Sequence, residues 1–298
     1  MSFDFLSIGQ SLYYGIVIGA LYGVAASGLS LIFGVMRFLN LSHGALIIAG
    51  AFASYWIFNL LKIDPFLAIP LSMAVVFIIG LLLYLGIFGR FAKFAVEPRI
   101  RNSLLVGFAL LVALDNLMVL LFTADERSVT TAYSGQVFQL FGLRLSYAGL
   151  IGLALSILFI VALNLFLNKT FFGKSIRATS QDYETASIMG INVWRTYMIS
   201  FAIGAAMAAV AGTILSTNYA FTPSIGQPWT IKSLIVLVLA GVGNVGGVLY
   251  AGLLLGVVEA MSVYIIGAPY KEVVGLVLFI LVILFRQGGL FVKKAGGS

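Results

Sequence analysis

Nine apolar runs, near residues 8–34, 44–61, 66–89, 103–123, 146–167, 196–216, 229–242, 247–266 and 271–285, leave this chain little polar sequence for a water-facing surface. Most approach the twenty or so residues that carry a helix across a bilayer. The side chains are 61% hydrophobic and only 9% charged, against about 25% charged in a soluble domain. The expected fold is therefore all-α: a polytopic transmembrane helical bundle of about eight to nine segments, some discontinuous, forming one domain over residues 1–298. The net charge of +7 sits next to the apolar runs, which fits membrane orientation and excludes a separate nucleic-acid-binding domain. Cysteine is absent and histidine occurs once, so neither a thiolate metal site nor a nucleophile–base pair can be assembled. The first fifteen residues lack the basic start of a cleavable signal and are expected to be retained.

Loop charge sets the orientation. Arg90, Lys93, Arg99, Arg101, Lys169, Lys174, Arg177, Arg195, Arg286, Lys293 and Lys294 fall in two loops and the tail, while the intervening loops carry little basic excess. By the positive-inside rule the first group faces the cytosol, with the C-terminus there; counting back from Arg90 puts Arg37 inside and the N-terminus outside, unless the segment around Arg37 is re-entrant and reverses the parity. Repeats of small residues at Gly15, Gly19, Gly23 and Ser27, and at Gly204, Ala208 and Gly212, predict close helix packing in lipid.

The longest polar interruption, residues 173–195, reads GKSIRATSQDYETASIMGINVWR. Thr179 and Asp182 have capping-box spacing and Gly190 is a natural stop, which predicts a helix of about ten residues between Thr179 and Gly190. Tyr183, Ala186 and Gly190 would share a face suited to close docking. A docking helix and an ordinary solvated loop helix both fit these residues. Nearby, residues 168–175, NKTFFGKS, end like a phosphate-binding loop but have Asn168 where glycine is required, and no strand precedes them.

Two shorter interruptions stand at membrane depth, where non-helical backbone must be buried in protein or line a wet cavity. In residues 34–44, GVMRFLNLSHG, Asn40, Ser42, His43 and Gly44 could form a substrate path, with Ser42 capping the next helix and leaving its N–H groups free for an anion. A cytosolic surface loop is the alternative. In residues 241–247, GVGNVGG, Gly241, Gly243 and Asn244 form either a bend within the bilayer or a plain hairpin turn. Asp115 and Glu259 lie inside apolar runs without an evident basic partner in sequence. They are coupling residues in an ion-driven carrier or packed polar groups in a passive conduit.

The segments GVMRFLNLSHGALIIAGAF, GKSIRATSQDYETASIMGINVWRTYMISFAIGAAMAAVAGTI and AGVGNVGGVLYAGLLLGVVE resemble the membrane subunits of high-affinity branched-chain amino-acid ATP-binding-cassette importers. The similarity covers nearly the whole chain. Glu184, Thr185, Ala186 and Gly190 resemble the E-A-A-x-x-x-G coupling motif of importer permeases, with Thr185 in place of alanine, in a cytosolic loop spanning about 168–195. No proline follows Gly190 until Pro223, so the leucine-proline ending of the general motif is missing. The resemblance implies a non-catalytic permease of a prokaryotic plasma (inner) membrane. Its implied partners are a paralogous permease, two cytosolic ATPases that bind the ATP and Mg, an extracytoplasmic amino-acid-binding protein and membrane lipid; the chain itself would hold no cofactor. An ion- or proton-coupled secondary amino-acid transporter is the rival expectation.

Overall fold

The structure, a computed structural model, describes residues 5–286 and 288–291; Lys293 and Lys294 lie outside the described residues. Among these, eleven α-helices follow one another: α1 (Phe5–Met36), α2 (His43–Leu61), α3 (Ile69–Gly86), α4 (Val96–Phe122), α5 (Tyr147–Lys169), α6 (Phe171–Gln181), α7 (Tyr183–Ile188), α8 (Val193–Asn218), α9 (Gly226–Ala240), α10 (Val248–Ile266) and α11 (Lys271–Phe285). The chain also forms an antiparallel hairpin of β1 (Val137–Leu140) and β2 (Leu143–Ser146), pairing Val137 with Ser146 and Leu140 with Leu143. Among the described residues, eight helices are long and apolar enough to cross a membrane, with the last counted from Ala268. The short α9, of 15 residues, extends only about 22 Å at 1.5 Å per residue.

Burial separates centre from rim. The apolar windows of α1 and α8 are 78% and 83% buried, whereas those of α4 and α11 are 17% and 11% buried, which leaves the latter two to face lipid or another subunit. The small-residue stripes make the central contacts: Gly15 and Gly19 pack on Gly256 and Gly252 of α10, Gly28 faces Gly204, and Gly212 packs against Ile47, Gly50 and Ala51. A Cβ at Gly28 or Gly212 would overlap the opposing carbonyl, so packing of backbone on backbone holds the bundle where lipid removes the hydrophobic drive.

Helices α1–α4 and α8–α11 repeat one packing scheme. Helix α1 packs along α10 as α8 packs along α3, α9 lies beside α1 as α2 lies beside α8, and α2 touches α3 and α4 as α9 touches α10 and α11. The two sets run in opposite directions. Gln10 and Asn218, at the start of α1 and the end of α8, both bond to the hairpin region through Arg144 and Ala148, while Met36 and Tyr197 meet through Arg99 at the other end. That other end carries α6, α7, residues 87–95, residue 286 and residues 288–291, and is the basic one.

Candidate functional site

At the basic end every helix joint in the polar loop is capped. Thr170 accepts from Gly173 N (3.0 Å) to start α6, Asp182 accepts from Glu184 N (2.9 Å) and Thr185 N (3.1 Å) to start α7, and Asn192 accepts from Arg195 N (3.0 Å) to start α8. Thr185 also donates its hydroxyl to Asp182. These bonds, the Thr185 hydroxyl first, hold the Asp182 carboxyl below its ordinary range, so acid weakens the cap only as pH falls through that lowered value. Gly190, at φ +86°, closes α7 with Ile191 N bonded to Ala186 O (3.0 Å), the helix-ending geometry that glycine favours.

This corrects two sequence expectations. The helix begins at Tyr183, because Asp182 and not Thr179 is its cap; Thr179 is buried within the last turn of α6. Ala186 does not present a small docking face, since it is 4% exposed and packed on its own chain. The outward side instead carries Glu184, Thr185 and two apolar residues the sequence reading passed over, Ile188 and Met189, which are 85% and 77% exposed.

Helix α7 rests on Arg99. The guanidinium is buried, lies 5.6 Å from the Tyr183 ring centroid and 5.9 Å from that of Tyr197, and spends all five N–H groups. Its acceptors are Ala92 O (2.9 Å), Phe94 O (3.2 and 2.8 Å), Met36 O (3.4 Å) and Tyr197 Oη (3.4 Å). Arg99 begins a row of α4 residues four apart, Arg99, Ser103, Gly107 and Leu111, all buried. Beside this row, residues 37–42 climb back into the bundle without helix: Leu39 N donates to Ser103 Oγ (3.0 Å), and a Cβ at Gly107 would lie 2.7 Å from Leu41 N.

The climb ends where α2 and α9 meet. Both start inside the bundle, and a Cβ at Gly44 would overlap Gly226 O. Gly44 N donates to Thr230 Oγ1 (2.9 Å), which itself donates to Leu41 O (2.9 Å). The N–H expected to be free for an anion is therefore occupied. Ser42 makes no cap; its N and Oγ donate to Asn40 Oδ1 (3.1 and 2.6 Å). His43 Nε2 donates to Ala25 O (2.9 Å) from a buried ring. Asp115, next in the α4 row, reaches this junction, with Oδ1 3.2 Å from the place of a Cβ at Gly226.

The second interruption turns tightly at the basic end. Gly241 (φ +90°) packs on Gly289 and Gly243 (φ +77°) on Gly34, while Asn244 caps Gly247 N (3.0 Å) and donates to Ala240 O (3.1 Å) and Phe291 O (3.0 Å). The two interruptions thus touch through Gly34 and Gly243, and not through Ser42–Gly44.

Glu259 does have partners. Lys232 of α9 pairs with it, Lys271 lies 3.7 Å away, and Tyr22 donates to it (2.9 Å); Gly275 leaves the room, since a Cβ there would stand 2.7 Å from Oε1. Lys232, overlooked in the sequence reading, was visible as a lysine inside the run 229–242. A cleft of about 220 Å³ opens beside it between α9 and α11, and one of about 250 Å³ between α2, α3 and α4.

Known proteins resemble this sequence over nearly its whole length. BraD of Pseudomonas aeruginosa, a high-affinity branched-chain amino acid transport system permease protein, is 29% identical over 94% of each chain. LivH of Salmonella typhimurium, named for the same system, is 30% identical over 97% of each, and a probable LivH of Methanocaldococcus jannaschii is 26% identical over 92% of this chain and 90% of its own. A chain of PsaBC from Streptococcus pneumoniae covers 95% of this chain and 92% of its own at 12% identity and a TM-score of 0.47. The description of one family, branched-chain amino acid transport system / permease component, matches residues 11–284, and this multi-pass membrane chain belongs to that family.

Proposed function

We propose that this chain is the permease subunit of an ATP-binding-cassette importer that moves branched-chain, aliphatic amino acids into a prokaryotic cell by alternating access. The supporting observation is α7: a capped helix that projects Ile188 and Met189 and rests on Arg99, at the head of the α4 row that leads to the α2–α9 junction. Glu184, Thr185, Ala186 and Gly190 shape this coupling element, Thr185 and Gly190 through its ends and Ala186 through its seat. Two ATPase subunits bind ATP and Mg and dock there; a paralogous permease completes the pore and an extracytoplasmic binding protein delivers substrate. Docked ATPases favour one of two bundle conformers by differential contact. Asn40, Ser42, His43 and Gly44, with Gly241, Gly243 and Asn244, serve as the gate, since Ser42, Gly44 N and Asn244 bond within the chain and Gly34 meets Gly243. The ion-coupled alternative loses one of its two acids, because Glu259 is neutralised by Lys232 and Lys271.

The test targets the exposed apolar pair. Ile188→Asp and Met189→Asp should leave the bundle folded, because both side chains are outside it, and should lower recovery of ATPase subunits at least tenfold. That is about the effect of losing one buried apolar contact of 1.5–3 kcal/mol. Full recovery with normal substrate-stimulated ATP turnover would remove α7 as the docking element.

In this reading the basic end is cytosolic and the C-terminus lies there. Because native cysteine is absent, Lys174→Cys should react only with reagents that enter the cytosol and Gln139→Cys with impermeant reagents from outside. The reverse pattern would invert the topology.

A further inference from the structure

The internal repeat builds the same cleft twice, and the two copies differ in chemistry. Between α2, α3 and α4 the walls are aliphatic and aromatic throughout, from Ala45 and Leu46 to Leu121 and Phe122, a lining that hydrocarbon can fill. Between α9 and α11 the corresponding cleft has Gln227, Lys232 and Glu272 set among Ile231, Ile235 and Leu276. Helix α9 begins within the bundle, beside Gly44 and Asp115, so these polar groups stand at or near membrane depth. Ionised groups there cannot face lipid tails; they face protein, water or a polar ligand.

The charge count points further. Lys232 and Lys271 share the single carboxylate of Glu259, which is fully buried, so the three side chains together carry one positive charge in excess, and of the two lysines Lys232 is the one that lines this cleft. Glu272, in the first turn of α11 and exposed, supplies a negative charge to the same cleft. The branched side chains of Ile231, Ile235 and Leu276 line the same cleft. A cleft of about 220 Å³ equals roughly seven water volumes at about 30 Å³ each, room for one small amino acid.

We infer that the α9–α11 cleft is a binding site for the zwitterion of an aliphatic amino acid. The substrate carboxylate faces Lys232, its ammonium faces Glu272, and its side chain lies on Ile231, Ile235 and Leu276. The site rests on the importer reading above and adds to it the place where this chain holds its cargo. It also orients the subunit, because the α9–α11 side then borders the path and the α2–α4 cleft faces lipid.

The experiment uses the purified complex with the subunits that accompany this chain. Ile231→Cys, half-exposed on the cleft wall and the only cysteine in this chain, is labelled with N-ethylmaleimide in the presence of L-leucine, 4-methylpentanoate or 3-methylbutylamine. Leucine should slow the labelling, and the two analogues, each lacking one charged end, should need about tenfold higher concentration for the same protection, the worth of one charge-assisted hydrogen bond. Glu272→Gln, an exposed change that leaves the fold intact, should raise the leucine requirement by about tenfold and bring 4-methylpentanoate level with leucine. Equal protection by all three compounds would reduce the cleft to a greasy surface, and no protection by any of them would remove the site. Uptake by the Ile231→Cys complex is followed in parallel. No protection with ATP-driven uptake intact overturns the site alone, whereas uptake that ignores ATP and follows the proton gradient overturns the importer reading.

Discussion

Arg99→Met should lower the stability of the bundle by about 3 kcal/mol and, in complexes that still assemble, reduce the substrate moved per ATP hydrolysed. Five guanidinium N–H groups reach Ala92 O, Phe94 O, Met36 O and Tyr197 Oη, and a thioether replaces none of them. A buried acceptor left without a donor costs about 1–3 kcal/mol. Release of a desolvated charge offsets part of that loss, and the contacts with Tyr183 and Tyr197 add about 0.5–2 kcal/mol to it. The functional loss follows from position: the same side chain holds α7 through Tyr183 and the end of α1 through Met36. Arg99→Lys should recover little, because an ammonium has three donors and no planar fork. Thermal unfolding of the solubilised protein and the ratio of transport to ATP turnover are the two measurements. Wild-type values for both in Arg99→Met would show that α7 moves independently of α4.

The second large effect belongs to the buried ion pair. Lys232→Met should destabilise by about 3–5 kcal/mol, since it strands a carboxylate with no exposed surface. Lys271 remains 3.7 Å from Glu259, but its side chain is 36% exposed and water already screens it. Lys271→Ala should therefore cost under about 1 kcal/mol. The double variant Lys232→Met/Glu259→Met removes both charges together and should regain most of the loss, giving a coupling of about 2–3 kcal/mol in the mutant cycle. Thermal melts of the four proteins in one detergent decide it. Equal costs for Lys232→Met and Lys271→Ala, or simple additivity in the cycle, would show that the pair is solvated.

Apolar run length and loop charge determined the helical membrane architecture, the segmentation and the grouping of basic loops at one end, because hydrocarbon imposes its demands on each segment separately. The same local logic found the glycine stripes and the stop at Gly190. The hairpin of β1 and β2 was missed, since a pair of four-residue strands carries no periodic signal, and the cap of α7 was misplaced by one turn because Thr179 and Asp182 are both good capping residues. Which one caps depended on Thr179 being buried within the last turn of α6. Only the tertiary structure decided that Ala186 turns inward while Ile188 and Met189 turn outward, that Gly44 N–H is taken by Thr230, 186 residues away, and that Lys232 neutralises Glu259 across two helices. Arg99, read from sequence as one more basic loop residue, became the seat of α7 for the same reason. A charge or a donor acquires its partner when separate helices pack, and the partner's identity is a property of the packed arrangement that no single segment contains.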